Sequence, residues 1–300
     1  MLPATDVPIL LQRRHVVHGY RPMNQPLYYY YKSAFCHHNE MMNVWTHFIP
    51  AVLLLFIYIF PELFGENRFP VLVLYFGIFC LLIGSSFAHL LHSRSPLDHV
   101  FWYLIDFAGI AMFGITIGLQ RYACNEDMGV LNRIVYPPML MGVVLGMQFL
   151  SSCYLFVCQP HWPYRLHMRM LTCFFLALWL YIPLWVRYLK TDPTDDSLTQ
   201  HSRAFYWLLL SGIFMGAQVP ERFAPGLFDI YGYGHQLFHL CIDMVAWNLC
   251  HGAHNDCTAH TSSWTSGINM TVAASLAISI VFIGSTIRFL MGKARFVKYD

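Results

Sequence analysis

The sequence predicts an all-α membrane protein: a seven-transmembrane-helix core with a cytosolic N-terminus, followed by an eighth, C-terminal span. Three observations carry this prediction. Of the 300 residues, 57% are hydrophobic and only 11% are charged, against roughly 25% charged in an ordinary soluble domain. Apolar runs near the length that crosses a bilayer, about 17 to 25 residues, recur eight times. Lys and Arg are divided unevenly between alternate connections, as expected where membrane insertion keeps basic loops inside.

The eight runs are 44–60, 69–91, 100–119, 134–157, 170–186, 204–219, 231–250 and 268–291. The sixth is short, and the fifth contains Pro183, which kinks a helix because it lacks a backbone N–H. With the N-terminus inside, twelve of the 18 Lys and Arg fall on the inner side and six on the outer. Both termini are then cytosolic. Tyr28 to Tyr31, followed by Lys32, reads as an interfacial belt leading into the first span. Pro3, Pro8 and Asp6 near the start, with no apolar centre or small-residue cleavage site, argue against a signal peptide.

The chain therefore divides into a cytosolic N-terminal segment (1–43), the seven-helix core (44–250), an outer loop (251–267) and the eighth span with its tail (268–300). A net charge of +2 carried by both signs gives no basic surface for nucleic acid, so the expected surroundings are the lipid bilayer. Nine irregularly spaced cysteines make neither a CxxC metal site nor a disulfide framework. Cys124 and Cys257 both fall on the outer side, where one disulfide is allowed. Asn269-Met270-Thr271 is a glycosylation sequon abutting the last span.

Polar side chains inside spans cost free energy, about 2.5–3.5 kcal/mol for a central carboxylate on insertion scales, so each needs a reason. The stretch GYGHQLFHLCID (232–243) sets His235 and His239 at i and i+4, on one face of the seventh helix. In SSFAH (85–89), Ser85 and His89 repeat that spacing near the end of span two. Asp106 stands in YLIDFAGI, one or two turns into span three. Singly, the histidines read as interfacial or hydrogen-bonded groups, and Asp106 as a carboxylate facing the positive end of its helix. Topology couples them: span two descends to His89, span three rises past Asp106, and span seven rises past His235 and His239, all at one depth. Three neutral imidazoles and a carboxylate fit a zinc centre with three nitrogen ligands and an open position. Asp106 would hold or deprotonate a bound water, with Ser85 in support. Asp243, four residues past His239, reads as a partner of that histidine or as a helix-packing group.

Elsewhere the readings are plainer. His251, His254 and His260, with Asp256, read as a solvated outer loop, and His37 and His38 as interfacial. Asn39 and Glu40 read as a cap for the first helix. Pro220, Glu221, Arg222, Pro225 and Gly226 make a rigid turn into span seven. QRY at 120–122 superficially resembles a rhodopsin-type D-R-Y, but it lacks the acid and lies on the outer side.

Over nearly its whole length the chain resembles the progestin and adipoQ receptor family. NEMMNVWTH (39–47) is similar to the family's N-E-x-x-N-x-W-T-H, SSFAH to its S-x-x-x-H, and LIDFAGI to its aspartate motif. VPERFAPGLFDIYGYGHQLFH (219–239) is similar to its P-E-R-x-x-P-G-x-F-D run and H-Q-x-F-H ending. Phe107 stands where the family usually has tyrosine. The resemblance implies zinc held by His89, His235 and His239, with Asp106 on the zinc-bound water. The eighth span and AHLLHSRS look more like the membrane progestin receptor branch than the adiponectin receptors. Three functions follow as expectations: a steroid-responsive receptor in the plasma membrane, binding a steroid or other lipid ligand and signalling from it; a zinc-dependent, ceramidase-like lipid amide hydrolase; or a zinc that only ties spans two, three and seven together.

Overall fold

The computed structural model describes residues 1–124, 134–190, 196–258 and 266–297. It is all-α: α1 (Leu27–Ser33), α2 (Met41–Phe64), α3 (Phe69–Leu91), α4 (Pro96–Ala123), α5 (Pro138–Cys158), α6 (Arg165–Leu180), α7 (Ile182–Lys190), α8 (Asp196–Ala217), α9 (Gly234–Thr258) and α10 (Ser266–Ala294). Among the described residues the one extended pairing is the isolated bridge Leu2 to Tyr20.

Each of the eight apolar runs forms helix. Five helices, α2, α3, α4, α5 and α10, are long and apolar enough to cross a membrane. α8 and α9, at 22 and 25 residues, reach the necessary length of about 20 but carry more polar groups, among them the histidines of the site. The fifth run breaks at Tyr181, two residues before Pro183, into α6 and α7, because proline cannot donate the helical hydrogen bond. α2 loosens into a π-turn at Leu55–Ile59, one turn after Pro50, a common adjustment to a missing hydrogen bond.

The outward faces remain apolar. Met139, Val143 and Met147 on α5, and Ile278, Val281 and Phe289 on α10, are each more than half exposed. Rows of that kind match lipid rather than water. Lipid tails are as apolar as leucine, so helices in a bilayer associate through close packing rather than hydrophobic burial. α3 and α4 do this through glycine. A Cβ at Gly109 would lie 2.7 Å from the Cys80 carbonyl oxygen and 2.8 Å from Leu81 Cα, backbone atoms that cannot move independently. This contact sets α3 directly against α4 and so fixes His89 relative to Asp106.

Several expectations are refined. Tyr28 and Tyr31 face outward as belt residues do, but Tyr30 is fully buried, under the Arg21 guanidinium. α9 continues to Thr258, so His251, His254 and Asp256 are helical rather than loop residues; His260 lies outside the described residues. His254 bonds Arg68 at 2.7 Å, and Asp256 accepts from His201 at 2.7 Å. Cys124 and Cys257 are joined in a disulfide, which ties the end of α4 to the end of α9.

Gly109→Ala is expected to lower the thermal midpoint of the purified protein, since overpacking costs about 1–3 kcal/mol. Gly142→Ala, whose added methyl meets nothing within 4 Å, should leave it unchanged or raise it. Equal midpoints for the two variants would refute the close packing of α3 on α4.

Candidate metal centre

Three helices bring the site together. His89 stands at the end of α3, where the Arg21 guanidinium donates to the carbonyls of His89 (2.7 Å) and Leu90 (2.7 Å). A helix leaves its last carbonyls without partners, and Arg21 supplies them while fixing the His89 backbone. His235 and His239 lie in the first turns of α9, whose start is set by Glu221: its carboxylate accepts from the Gly234 amide at 2.7 Å. A Cβ at Gly234 would lie 2.7 Å from the Phe214 oxygen and 2.8 Å from that of Val219, so only glycine lets the chain turn there. α2 contributes Thr46 and His47.

The His89 ring meets His235 and His239 edge to face, and those two are tilted against each other. Ring centroids are 5.1 Å apart for His89 and His235, 4.9 Å for His89 and His239, and 4.7 Å for His235 and His239. One nitrogen from each lies within 4.8 Å of the others. The partners of the remaining nitrogens assign the protons. His89 Nδ1 lies 2.7 Å from Glu40 Oε2, and a carboxylate only accepts, so Nδ1 donates. His239 Nδ1 lies 3.0 Å from Thr46 Oγ1; the Thr46 hydroxyl gives its one proton to the Met42 carbonyl at 2.7 Å, so Nδ1 donates again. His235 Nδ1 faces Met215 Sδ at 3.3 Å, a weak acceptor. Each Nε2 therefore carries a lone pair. His89 and His235 hold theirs 3.2 Å apart, an arrangement that repels unless a cation lies between them. The donor set fits a divalent metal that takes imidazole nitrogen.

Glu40 is the centre's main support. It makes no side-chain cap for α2, contrary to the expectation from sequence. Instead it accepts from Arg13 Nε at 2.6 Å, from Asn43 Nδ2 at 2.5 Å and from His89. Burial alone would raise the Glu40 carboxyl, but Arg13 and His89 hold it well below the usual carboxylate range. Glu40, His89 and His92 form a second group with metal-ligand spacing. In that group Glu40 is already committed to three donors, and the Arg13 cation stands 3.3 Å from His89 Nδ1, which disfavours a metal there.

The other expected residues lie around this core. Asp106 is buried on α4, outside the group of metal-spaced atoms and within the field of His89. Asp243 does not reach His239 as a direct partner. It approaches His47, at 3.8 Å, and His47 stacks on His239 with centroids 3.8 Å apart and planes 5° from parallel. His38 is buried rather than interfacial: its Nε2 meets the Ser33 carbonyl at 3.0 Å and its Nδ1 accepts from the Glu40 amide at 3.1 Å.

Sequence reasoning missed the N-terminal segment. Residues 2 to 20 fold over this end of the bundle, pinned where Asp229 accepts from the amides of Val17 (3.0 Å) and His18 (2.7 Å). That brings Arg13 to Glu40. Its signal was slight, an unremarkable pair of arginines in a polar tail. Thr46 and His47 were visible in NEMMNVWTH, but nothing in their spacing gave them a role.

An all-α membrane bundle enclosing three convergent imidazoles is the class these features define. The profile of the family described as "Haemolysin-III related" matches residues 35–251, which contain every residue of the centre except Arg13 and Arg21. The chain is 30% identical over 245 residues to membrane progestin receptor alpha of Homo sapiens, covering 78% of this chain and 70% of that protein. It is 32% identical over 246 residues to its Sus scrofa counterpart, with the same coverage. To membrane progestin receptor beta of Homo sapiens it is 28% identical over 258 residues, 79% of this chain and 71% of the relative. The chain belongs to the haemolysin-III-related family, in its progestin and adipoQ receptor type.

Thr46→Ala removes the acceptor that orients His239 and is expected to weaken the binding of an added divalent metal about 10- to 100-fold, measured by chelator competition, with Thr46→Ser restoring it. Unchanged affinity in Thr46→Ala would remove Thr46 from the centre.

Proposed function

We propose that this protein is a plasma-membrane receptor responsive to a steroid or other lipid, holding zinc on His89, His235 and His239 near the cytosolic face, with its N-terminus in the cytosol. The observation that carries the zinc reading is the set of three inward Nε2 lone pairs whose Nδ1 partners are Glu40, Thr46 and Met215. When bound, zinc would neutralise that repulsion and offer Lewis acidity toward the adjoining cavity. The names of the relatives, membrane progestin receptors alpha and beta, favour a progestin-type steroid as ligand.

The disulfide supports the orientation. Disulfides persist in oxidising compartments, and His235 and Cys257 stand at opposite ends of α9, roughly 30 Å apart at about 1.5 Å per residue. That is about the thickness of the hydrocarbon core. An outer disulfide therefore favours the reading with the histidines at the cytosolic interface.

A second reading, hydrolysis of a lipid amide, is favoured by one observation: a cavity of about 270 Å³ reaches His235. In this reading Asp106 is the general base, with Ser85 orienting its carboxylate.

One preparation tests both readings. Protein reconstituted in vesicles is assayed for tritiated progesterone binding and for ceramide turnover, wild type beside His239→Ala. Saturable binding at micromolar steroid or below is expected, and its absence removes the steroid reading. Ceramide turnover equal in the two proteins excludes the hydrolase.

A further inference from the structure

The cavity of about 270 Å³ lies between the folded-back N-terminal segment and the first turns of α6, and is bordered by α4, α5 and the end of α8. Its charged lining is lopsided. Arg13, Arg14, Arg165 and Arg169 face it, with two acids, Glu40 and Glu221. Both acids are committed: Glu40 to Arg13, His89 and Asn43, and Glu221 to the Gly234 amide. Arg165 and Arg169 are left without a carboxylate bonded to them on the α6 wall, and the exposed Arg14 faces them from the N-terminal segment.

Arg165 and Arg169 are i and i+4 on α6, one above the other on a single helix face. Neither makes a side-chain hydrogen bond or ion pair with any described residue; Asp106 influences Arg169 only through its field. Arg165 Nη1 is buried without a hydrogen-bond partner. Their seats are aromatic instead. The Arg169 guanidinium lies 3.7 Å from the centroid of the Phe107 ring, and that of Arg165 lies 5.9 Å from Phe156. An aromatic face satisfies part of the charge and none of the N–H donors. Each guanidinium presents five donors in a planar fork that matches the oxygens of a phosphate.

We propose that this cavity is an oxyanion site in which Arg165 and Arg169, with Arg14 at the mouth, bind the phosphate of a phosphomonoester. The volume falls just below the range of roughly 300–1,000 Å³ for drug-sized ligands, so it takes a headgroup and not a whole lipid. Leu166, Phe156 and Met215 are among the apolar residues of the wall. The phosphate comes either from a phosphatidate-like lipid headgroup entering from the bilayer or from a soluble phosphate. The site stands on its own residues and does not depend on metal in the histidine centre.

The test is calorimetric titration of the full-length protein in neutral detergent with two probes, dihexanoyl phosphatidate and inorganic phosphate, with and without a chelator. Wild type should bind at least one probe with unit stoichiometry. Arg165→Gln/Arg169→Gln should weaken binding about tenfold or more, the loss of charge-assisted hydrogen bonds, and Arg14→Gln, at an exposed position that does not disturb the fold, should weaken it by less. Tighter binding of phosphatidate than of phosphate assigns a lipid headgroup, and equal binding a soluble phosphate. Failure of wild type to bind either probe at millimolar concentration, equal binding by wild type and both variants, or loss of binding on chelation would overturn the proposal.

Discussion

The bond from His89 Nδ1 to Glu40, 2.7 Å long between two almost fully buried groups, is the interaction on which the functional end of the molecule depends. A carboxylate in such a place is stable only when surrounded by donors, and Glu40 collects them from the N-terminal segment, from α2 and from α3. In doing so it fixes the tautomer of His89 and turns Nε2 toward α9. Without it, Arg13 would lose its main partner and the N-terminal segment one of its attachments over the site, leaving those to Asp229.

The same economy appears at each neighbouring position. Arg21 fills the open carbonyls at the end of α3, Glu221 fills an open amide at the start of α9, and Thr46 passes a proton to its own helix while accepting one from His239. Open groups at helix ends thus anchor the helices that carry His89 and His235, while Thr46, inside α2, orients His239. At the other end of the bundle a disulfide and the Asp256 contacts with His201 and Arg187 hold α4, α7, α8 and α9. The disulfide at one end and the histidine cluster at the other are separated by the length of α9.

Helix length and apolarity made the spans readable from the sequence, because a bilayer demands about 20 apolar residues whatever their tertiary partners. His89, His235 and His239 were legible because topology put them at one depth and their i, i+4 spacing put two on one face. Glu40, Thr46 and His47 were not, since their roles depend on which way α2 rotates against α9, and spacing along one chain does not determine that. Asp243 shows the same blindness: it reads from sequence as a partner of His239 or a helix-packing group, and the structure sets it 3.8 Å from His47 instead of beside His239. The folding back of residues 2 to 20 follows from single contacts such as Asp229 to Val17, which leave no periodic trace.

Zinc-edge X-ray absorption on the purified protein tests the central claim most directly. The account predicts one zinc per chain with three imidazole nitrogens at about 2.0–2.1 Å and an oxygen fourth donor, the signal disappearing in His235→Ala. A shell containing sulfur, or protein without zinc that retains the native fold, would contradict it.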